Sequence, residues 1–305
     1  ITTPESFFKR LRDGGIQVVE FNPKNPFKAP GSWFLVRQDH RKILIADGKV
    51  AIIGGINISN VYSSSFSRRK KVKGKPLDWR DTDIQIEGPA VVEVQKLFLE
   101  TWSRQNGPAL AGHNYLVDQK ENGEALVGIV GSTPGTDNRI TFIAYAAAIT
   151  YAEHSIHLTN AYFIPDSQIL EAFKDAAKRG VDVKIILPSN TDSSLVISAA
   201  RYSYSDLLKA GVKIYERRTV LLHAKTAVID GVWSTVGSTN LDYWSLLSND
   251  EVNAVVLNRE FAIEMERMFA SDLAQSDQIQ IDQWEKRPLS QKIKEKAAHL
   301  FSRWL

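Results

Sequence analysis

Two short apolar runs in the chain share one pattern of hydrophobic and polar positions. Lys42–Ala46 and Lys225–Ile229 each have the length of a buried strand. An Asp-Gly pair, the strongest short-range signal for a β-hairpin, follows each run. A second apolar run comes next, so return strands are expected at Val50–Ile53 and Val232–Val236. The pattern therefore predicts two similar hairpins, one in each half of the chain.

The second half also alternates between helical and strand patterns before its hairpin. Helices are predicted over Arg139–His154 and Ser167–Arg179, and strands over Ser155–Thr159 and Val181–Leu187. Gly180 is suited to end the second helix, where a positive φ is favourable. This alternation predicts an α/β fold with helices packed on the faces of a sheet.

The first half repeats this organisation over a shorter length. Leu11–Val18 is similar to Leu207–Ile214, and both indicate a helix end, a glycine cap and a strand. The segment before His40 is too short for the elements that precede His223. We therefore expect the first domain to lack its opening strands and helix.

The expected architecture is a pair of α/β/α sandwich domains related by a pseudo-twofold axis. The first domain is predicted over residues 1–110 and the second over residues 125–305. The boundary is expected in Asn106–Gly131, which is polar and glycine-rich.

The two hairpins carry the same polar residues in the same register. The shared pattern is His-x-Lys, four residues, Asp, six residues, and then Gly, two residues and Asn. Its first copy comprises His40, Lys42, Asp47, Gly54 and Asn57, and its second copy comprises His223, Lys225, Asp230, Gly237 and Asn240. Agreement of five residue types at fixed spacing predicts that both copies serve one site.

Composition narrows the chemistry only slightly. The chain has 305 residues, a net charge of +3 and no cysteine, so disulfides and thiolate metal sites are excluded. The mild positive charge permits an anionic partner without requiring one. No apolar run approaches the roughly 18 residues that a membrane span needs.

Histidine and lysine at this spacing suit phosphodiester transfer. One imidazole can attack phosphorus while the other exchanges protons with the alcohols that leave and enter. Lys42 and Lys225 supply positive charge to the phosphate oxygens, and Asn57 and Asn240 can donate amide hydrogen bonds to them. This chemistry needs no metal and no cofactor, because the lysines carry the charge.

Acidic residues that could orient the histidines come later in each half. Asp81 follows the first motif, and Glu251 follows the second at the start of an expected strand. Asp47 and Asp230 belong to the candidate catalytic set as motif residues. Their place in hairpin turns favours a structural role instead.

The duplicated motif resembles that of the phospholipase D superfamily. Trp79-Arg80-Asp81-Thr82, Asn160–Pro165 and Gly237–Asp242 are similar to segments of bacterial cardiolipin synthases. The resemblance implies a phosphohistidine intermediate and formation of cardiolipin from phosphatidylglycerol, with phospholipase D hydrolysis when water is the acceptor. It also implies that His40 is the nucleophile and His223 the general acid and base.

Two basic segments predict peripheral binding to a bacterial cell membrane. Arg68–Lys75 is a dense basic run, for which a solvated loop is the alternative. The C-terminal segment Leu289–Leu305 combines an apolar helical face with basic residues, which is typical of a membrane-surface helix. Packing of that face against the protein core is the alternative for this segment.

Two other functions remain open from the sequence. A phosphodiesterase or nuclease of the same superfamily would use the same histidines with a basic groove. The sequence shows no aromatic and basic stacking platform, which argues against nucleic acid as the partner. A non-catalytic membrane-binding module is the third possibility, against which the intact motifs argue.

Overall fold

The computed structural model describes residues 3–23, 38–59, 62, 71–72, 75–76, 78–110, 112–134, 139–191 and 193–301. In these ranges the strands are β1 (Ile43–Ala46), β2 (Val50–Gly54), β3 (Lys71–Val72), β4 (Lys75–Pro76), β5 (Asp78–Arg80), β6 (Asp83–Glu87), β7 (Leu126–Ser132), β8 (Ser155–Asn160), β9 (Asp182–Pro188), β10 (Lys213–Arg217), β11 (Val220–Leu222), β12 (Lys225–Ile229), β13 (Trp233–Gly237), β14 (Glu251–Leu257) and β15 (Ser276–Gln278). The helices are α1 (Glu5–Asp13), α2 (Ala90–Arg104), α3 (Ile140–Thr150), α4 (Ser167–Lys178), α5 (Ser194–Tyr202), α6 (Tyr204–Lys209), α7 (Tyr243–Leu247), α8 (Arg259–Leu273), α9 (Ile281–Glu285) and α10 (Leu289–Leu300).

The second half is built on an eight-stranded sheet with the order β15-β10-β9-β8-β12-β13-β14-β7. β8, β9 and β10 are parallel neighbours, so the chain must cross over between them, and helices α4 to α6 make these crossovers. Apolar side chains such as Tyr145, Phe173 and Tyr204 fill the core of this half. The arrangement confirms the predicted α/β fold.

The first half contributes a three-stranded antiparallel sheet with the order β1-β2-β6. Alternate residues of β2 and β6 are buried, including Ala51, Ile53 and Ile84. They belong to one hydrophobic cluster with Val236 and Val252 of the second half. This shared core holds the two hairpins against each other and brings their motif ends together.

Most elements predicted from the sequence are confirmed, with ends that agree to within four residues. The hairpins β1-β2 and β12-β13 pair in the expected antiparallel register. The strand predicted at the end of Leu11–Val18 is wrong, because the residues after Gly15 are not strand. The matching strand β10 pairs with β9 and β15, whereas residues 16–20 pair with no strand in the described ranges. The domain limits stay predictions, although β7 begins at Leu126 within the expected boundary segment.

The C-terminal helix α10 packs on α5 through one face only. Ala298 and Glu295 are buried, and Ala298 belongs to a small cluster with Ala199 and Ala200. The face predicted to be apolar points away from the protein, and Leu289 and Ile293 are exposed on it. Arg68–Lys75 lies outside the described residues, apart from the backbone of β3 and β4. Within the described ranges, no helix is both long enough and apolar enough to cross a membrane.

Candidate active site

Backbone hydrogen bonds tie each motif histidine to the opposite half of the chain. The amide of His40 donates to the carbonyl of Asp250 at 2.9 Å, and the amide of His223 donates to the carbonyl of Arg80 at 2.8 Å. Near His223, β5 and β11 also pair as parallel strands. Glu251 directly follows Asp250 and Asp81 directly follows Arg80, so each histidine lies beside one of these two acids.

Each of the two imidazoles accordingly contacts a carboxylate from the other half of the chain. His40 Nδ1 lies 3.0 Å and 3.1 Å from the two carboxylate oxygens of Glu251. His223 Nδ1 lies 2.6 Å from Oδ2 of Asp81. Both acids therefore lie at the site. Asp81, which comes after the first motif, contacts the histidine of the second motif, and Glu251, which comes after the second motif, contacts the histidine of the first.

This contact settles which imidazole nitrogen is available for chemistry. A carboxylate can only accept a hydrogen bond, so Nδ1 of His40 and of His223 carries the proton. In the neutral ring, Nε2 then has a free lone pair. The side chain of His40 is 24% exposed and that of His223 is 9% exposed, while the carboxylates of Glu251 and Asp81 are buried. The site therefore presents two oriented basic nitrogens.

The motif lysines lie beside the histidines, with Lys225 buried and Lys42 half-buried. Lys42 and Lys225 each donate a hydrogen bond to the carbonyl of the histidine two residues earlier. Burial lowers the pKa of Lys42 to about 8. Burial and then the charge of Lys42 lower the pKa of Lys225 to about 7, against the opposing effect of Asp81. The two motifs thus place two ammonium groups in one electrostatic environment.

His223 lies in a drier and more aromatic environment than His40. The ring of Trp79 is 5.1 Å from the His223 ring, and the ring of Tyr162 is 6.3 Å away. Burial, followed by the charge of Lys225, lowers the pKa of His223 to about 4, although Asp81 opposes this shift. The two histidines therefore occupy chemically different positions.

The motif aspartates lie at the far end of the hairpins, which contradicts their place in the candidate catalytic set. Asp47 and Asp230 are hairpin-turn residues with positive φ angles of 54° and 53°. Asp230 accepts hydrogen bonds from the backbone amides of residues 153–155 at 2.8–2.9 Å. The length of a strand separates each aspartate from the motif histidine, because Ile43 and Lys225 begin the strands that end at the turns. A structural role at the turn is therefore the better prediction for both aspartates.

The motif asparagines follow the return strands, at the same end of the hairpins as the histidines. Asn240 is 4% exposed, and its amide donates to the hydroxyl of Ser245 at 3.4 Å. Asn57 is exposed. Their contact with a phosphate group stays a prediction.

Two residues that hold Glu251 and its neighbour Asp250 in place are not predicted from the sequence. Arg41, whose side chain is 3% exposed, donates to Asp250 Oδ1 at 2.7 Å and to the carbonyl of Glu251 at 3.3 Å. The hydroxyl of Ser238 donates to Glu251 Oε2. Arg41 has no repeat partner because Ala224 replaces it, whereas the difference between Gly55 and Ser238 was visible in the repeat. Among the described residues, no group of acidic and histidine side chains could hold a metal ion.

Known proteins are similar to this chain in sequence and in fold. The family model described as "Cardiolipin synthase, PLD-like domain" matches residues 145–273. A cardiolipin synthase of Geobacillus sp. (strain WCH70) is 34% identical over 98% of this chain and 58% of its own length. Cardiolipin synthase 2 of Bacillus anthracis is 35% identical over 98% of this chain and 57% of its own length. The chain thus spans little more than half the length of these curated relatives.

A solved structure extends the likeness to the fold. Phosphatidylserine synthase of Haemophilus influenzae Rd KW20 has a TM-score of 0.62 and 12% identity, over 88% of this chain and 71% of that chain. The matched family model and the duplicated motif make the chain similar to proteins of the phospholipase D superfamily. Within this superfamily it is similar to the bacterial cardiolipin synthases.

Proposed function

We propose that this chain catalyses phosphatidyl transfer and forms cardiolipin from two molecules of phosphatidylglycerol through a phosphohistidine intermediate. The observation that carries the proposal is the pair of carboxylate-oriented histidines beside the two motif lysines. Relatives named cardiolipin synthase support phosphatidylglycerol as the substrate.

In the first step, Nε2 of His40 attacks the phosphorus of one phosphatidylglycerol. The bond from phosphorus to the head-group oxygen breaks, and the imidazolium of His223 gives its proton to that oxygen, so that glycerol leaves. Burial lowers the pKa of His223 to about 4, which disfavours the imidazolium. A phosphodiester bound beside Lys42 and Lys225 opposes this effect, because its negative charge favours the protonated ring.

In the second step, the neutral His223 removes a proton from the terminal hydroxyl of a second phosphatidylglycerol. The resulting oxygen attacks the phosphohistidine, the bond between nitrogen and phosphorus breaks, and cardiolipin forms. His40 is then neutral again and His223 is protonated, so the cycle closes. Water in place of the second lipid gives phosphatidic acid, which is phospholipase D hydrolysis.

The remaining groups stabilise charge during both steps. Lys42 and Lys225 provide positive charge where the phosphate oxygens gain negative charge in the transition state. Glu251 and Asp81 hold the imidazoles in the reactive tautomer and stabilise their protonated forms. Asn57 and Asn240 donate hydrogen bonds to the phosphate oxygens.

The outer face of α10 supports action at an anionic membrane surface. Leu289, Ile293 and Leu300 are 72%, 60% and 75% exposed on this helix. Lys294 and Lys296 are exposed beside them. An amphipathic helix with exposed apolar and basic residues binds the interface of a bilayer that carries acidic lipids. We infer that α10 and the basic run Arg68–Lys75 hold the site at the lipid surface.

The test is incubation of the chain with vesicles of phosphatidylglycerol, followed by mass spectrometry of the lipids. We expect cardiolipin and free glycerol, with some phosphatidic acid, and loss of all three with His223→Ala. Cleavage of single-stranded DNA without any lipid turnover would contradict the proposal and favour a nuclease.

A further inference from the structure

The two carboxylates that orient the histidines are supported by different residues. On the Glu251 arm, the hydroxyl of Ser238 donates to Oε2 of Glu251. Ser238 follows the last glycine of its motif, and the residue at the same position of the first motif is Gly55. The first motif therefore cannot supply a side-chain hydroxyl to Asp81 from that position.

Gly55 is required by the close approach of Asp81. A Cβ atom on Gly55 would lie 2.0 Å from Oδ1 of Asp81, closer than atoms in contact can be. Aspartate is one methylene shorter than glutamate, so its carboxylate reaches His223 only by lying against the backbone at Gly55. Ser238 thus accompanies the longer acid, Glu251, and Gly55 accompanies the shorter acid, Asp81.

Tyr62 supplies the missing hydroxyl from a different place in the chain. Its phenol donates to Oδ2 of Asp81 at 3.0 Å and lies 3.5 Å from Nδ1 of His223. The ring packs edge to face on Trp79, with centroids 5.4 Å apart, and Trp79 in turn contacts His223. Burial and the charge of Asp81 raise the pKa of Tyr62, so its phenol stays protonated and donates.

We propose that Tyr62 is a positioning residue for His223. Tyr62 fixes Asp81 against the imidazole of His223, as Ser238 fixes Glu251 against the imidazole of His40. The proposal concerns catalysis only through the proposed function, but the contact itself can be tested without turnover. Tyr62 acts through Asp81 and has no direct role in bond breaking.

The expected electrostatic effect of Tyr62 has a definite sign. A hydrogen bond from the phenol withdraws charge from the Asp81 carboxylate and weakens it as a partner for the protonated imidazole. Loss of the hydroxyl should therefore raise the pKa of His223. Among the described residues, the other groups that face this ring are two lysines and two aromatic side chains, which stay unchanged in the test: Lys42, Lys225, Trp79 and Tyr162.

The experiment compares the wild-type chain with Tyr62→Phe by imidazole ¹⁵N NMR over a pH titration, with the His223 signal assigned from a His223→Gln sample. We expect the titration of His223 to move to higher pH in Tyr62→Phe. With a soluble phosphodiester, kcat should fall about tenfold while KM stays the same, since the lost bond is one to a charged group. Gly55→Ala should lower kcat further, because it displaces Asp81.

Two tyrosine controls separate positioning from general destabilisation. Tyr151→Phe removes a hydroxyl from an exposed side chain, and Tyr204→Phe removes one from the core, where it donates to Glu216. Neither change should move the His223 titration, even if Tyr204→Phe lowers stability. An unchanged titration and an unchanged kcat in Tyr62→Phe would overturn the proposal. If the wild-type chain turns over no diester, the proposed function fails, and the NMR titration alone decides the role of Tyr62.

Discussion

His40 Nδ1 lies 3.0 Å from Oε1 of Glu251, although 211 positions separate the two residues in the chain. The same relation joins His223 to Asp81 across 142 positions. Each half of the protein therefore holds one histidine and the carboxylate for the other. Because both histidine-carboxylate pairs cross between the halves, reactivity of either histidine depends on correct packing of the shared core.

Neutralising an orienting carboxylate should reduce turnover strongly. Glu251→Gln and Asp81→Asn keep the shape of the side chain but remove the charge that favours the reactive tautomer. We expect kcat to fall by about 10²- to 10⁴-fold in each, as a triad loses activity when its acid becomes an amide. Steady-state kinetics with a soluble phosphodiester measures this.

The protein offers a matched control for these variants. His157 Nδ1 lies 2.7 Å from Oε2 of Glu266, so this pair has the same chemistry outside the motifs. Glu266→Gln should leave kcat unchanged. An equal loss in Glu266→Gln would mean that the motif carboxylates act through stability alone.

The local parts of the site could be predicted from the sequence, because periodicity and turn residues report local structure. The hairpins, the strand that begins at Glu251 and the end of the hairpin that carries His40 and His223 are all confirmed. Asp81 and Glu251, the acids that the sequence suggests for orienting the histidines, each lie beside a motif histidine. Short-range signals sufficed for each of these features, since each depends on neighbours within one hairpin or one strand.

The contact of each motif histidine with a carboxylate of the other half could not be predicted, because it depends on the packing of segments that are distant in the sequence. Pairing of Asp39 with Asp250, and of β5 with β11, leaves no periodic trace in either segment. The contacts of Arg41 leave no signal in the sequence for the same reason, since its partners Asp250 and Thr133 lie in the other half. The strand wrongly expected after Gly15 shows the converse, because a strand-like pattern forms a strand only where a partner strand is available.

The two histidines should differ in their ability to hold a phosphoryl group. A diester with a nitrophenolate leaving group needs no proton donor, so His223→Ala should still form the intermediate and should lack the base that resolves it. Intact-protein mass spectrometry after alkaline quench should then detect the adduct in His223→Ala and none in His40→Ala. An adduct in His40→Ala instead would assign attack to His223.

Removal of the Arg41 guanidinium should destabilise the junction between the halves. Its Nη2 atom lies within hydrogen-bond distance of three acceptors, at 2.7 Å from Asp250 Oδ1, 2.8 Å from Thr133 Oγ1 and 2.9 Å from the carbonyl of Ser132. Arg41→Ala leaves the buried Asp250 with Arg104 as its remaining cation in the described ranges. We expect the free energy of unfolding to fall by about 3–5 kcal/mol in urea titrations.

An exposed arginine provides the control for this measurement. Arg12 pairs with Glu5 on the surface of α1, where both side chains are largely exposed. Arg12→Ala should not change the urea midpoint, because surface ion pairs contribute little. Similar losses in Arg12→Ala and Arg41→Ala would contradict a special role for the buried contact.

Activity should decline as the pH rises past neutrality. The pKa of Lys225 is lowered to about 7 by burial, so the free protein loses this positive charge as the pH rises through that value. We expect kcat/KM for an anionic diester to fall between about pH 7 and about pH 9. The fall in kcat should come at higher pH, because a bound anion favours the protonated amine. If the two profiles coincide, or if kcat/KM stays level, Lys225 is not the group responsible.

Binding to lipid vesicles should depend on the outer face of α10. Ile293 and Leu300 are 60% and 75% exposed, so the double variant Ile293→Ser, Leu300→Ser loses apolar area without opening the core. We expect sedimentation with phosphatidylglycerol vesicles to weaken at least about tenfold, given the transfer energy of two aliphatic side chains. Ile263→Ser on α8 is the control, because Ile263 is also exposed, at 50%, but lies outside this face. Hydrolysis of a soluble diester should be the same in all three proteins, since none of these side chains reaches the histidines. Equal vesicle binding by the double variant and the control would show that another surface holds the protein at the membrane.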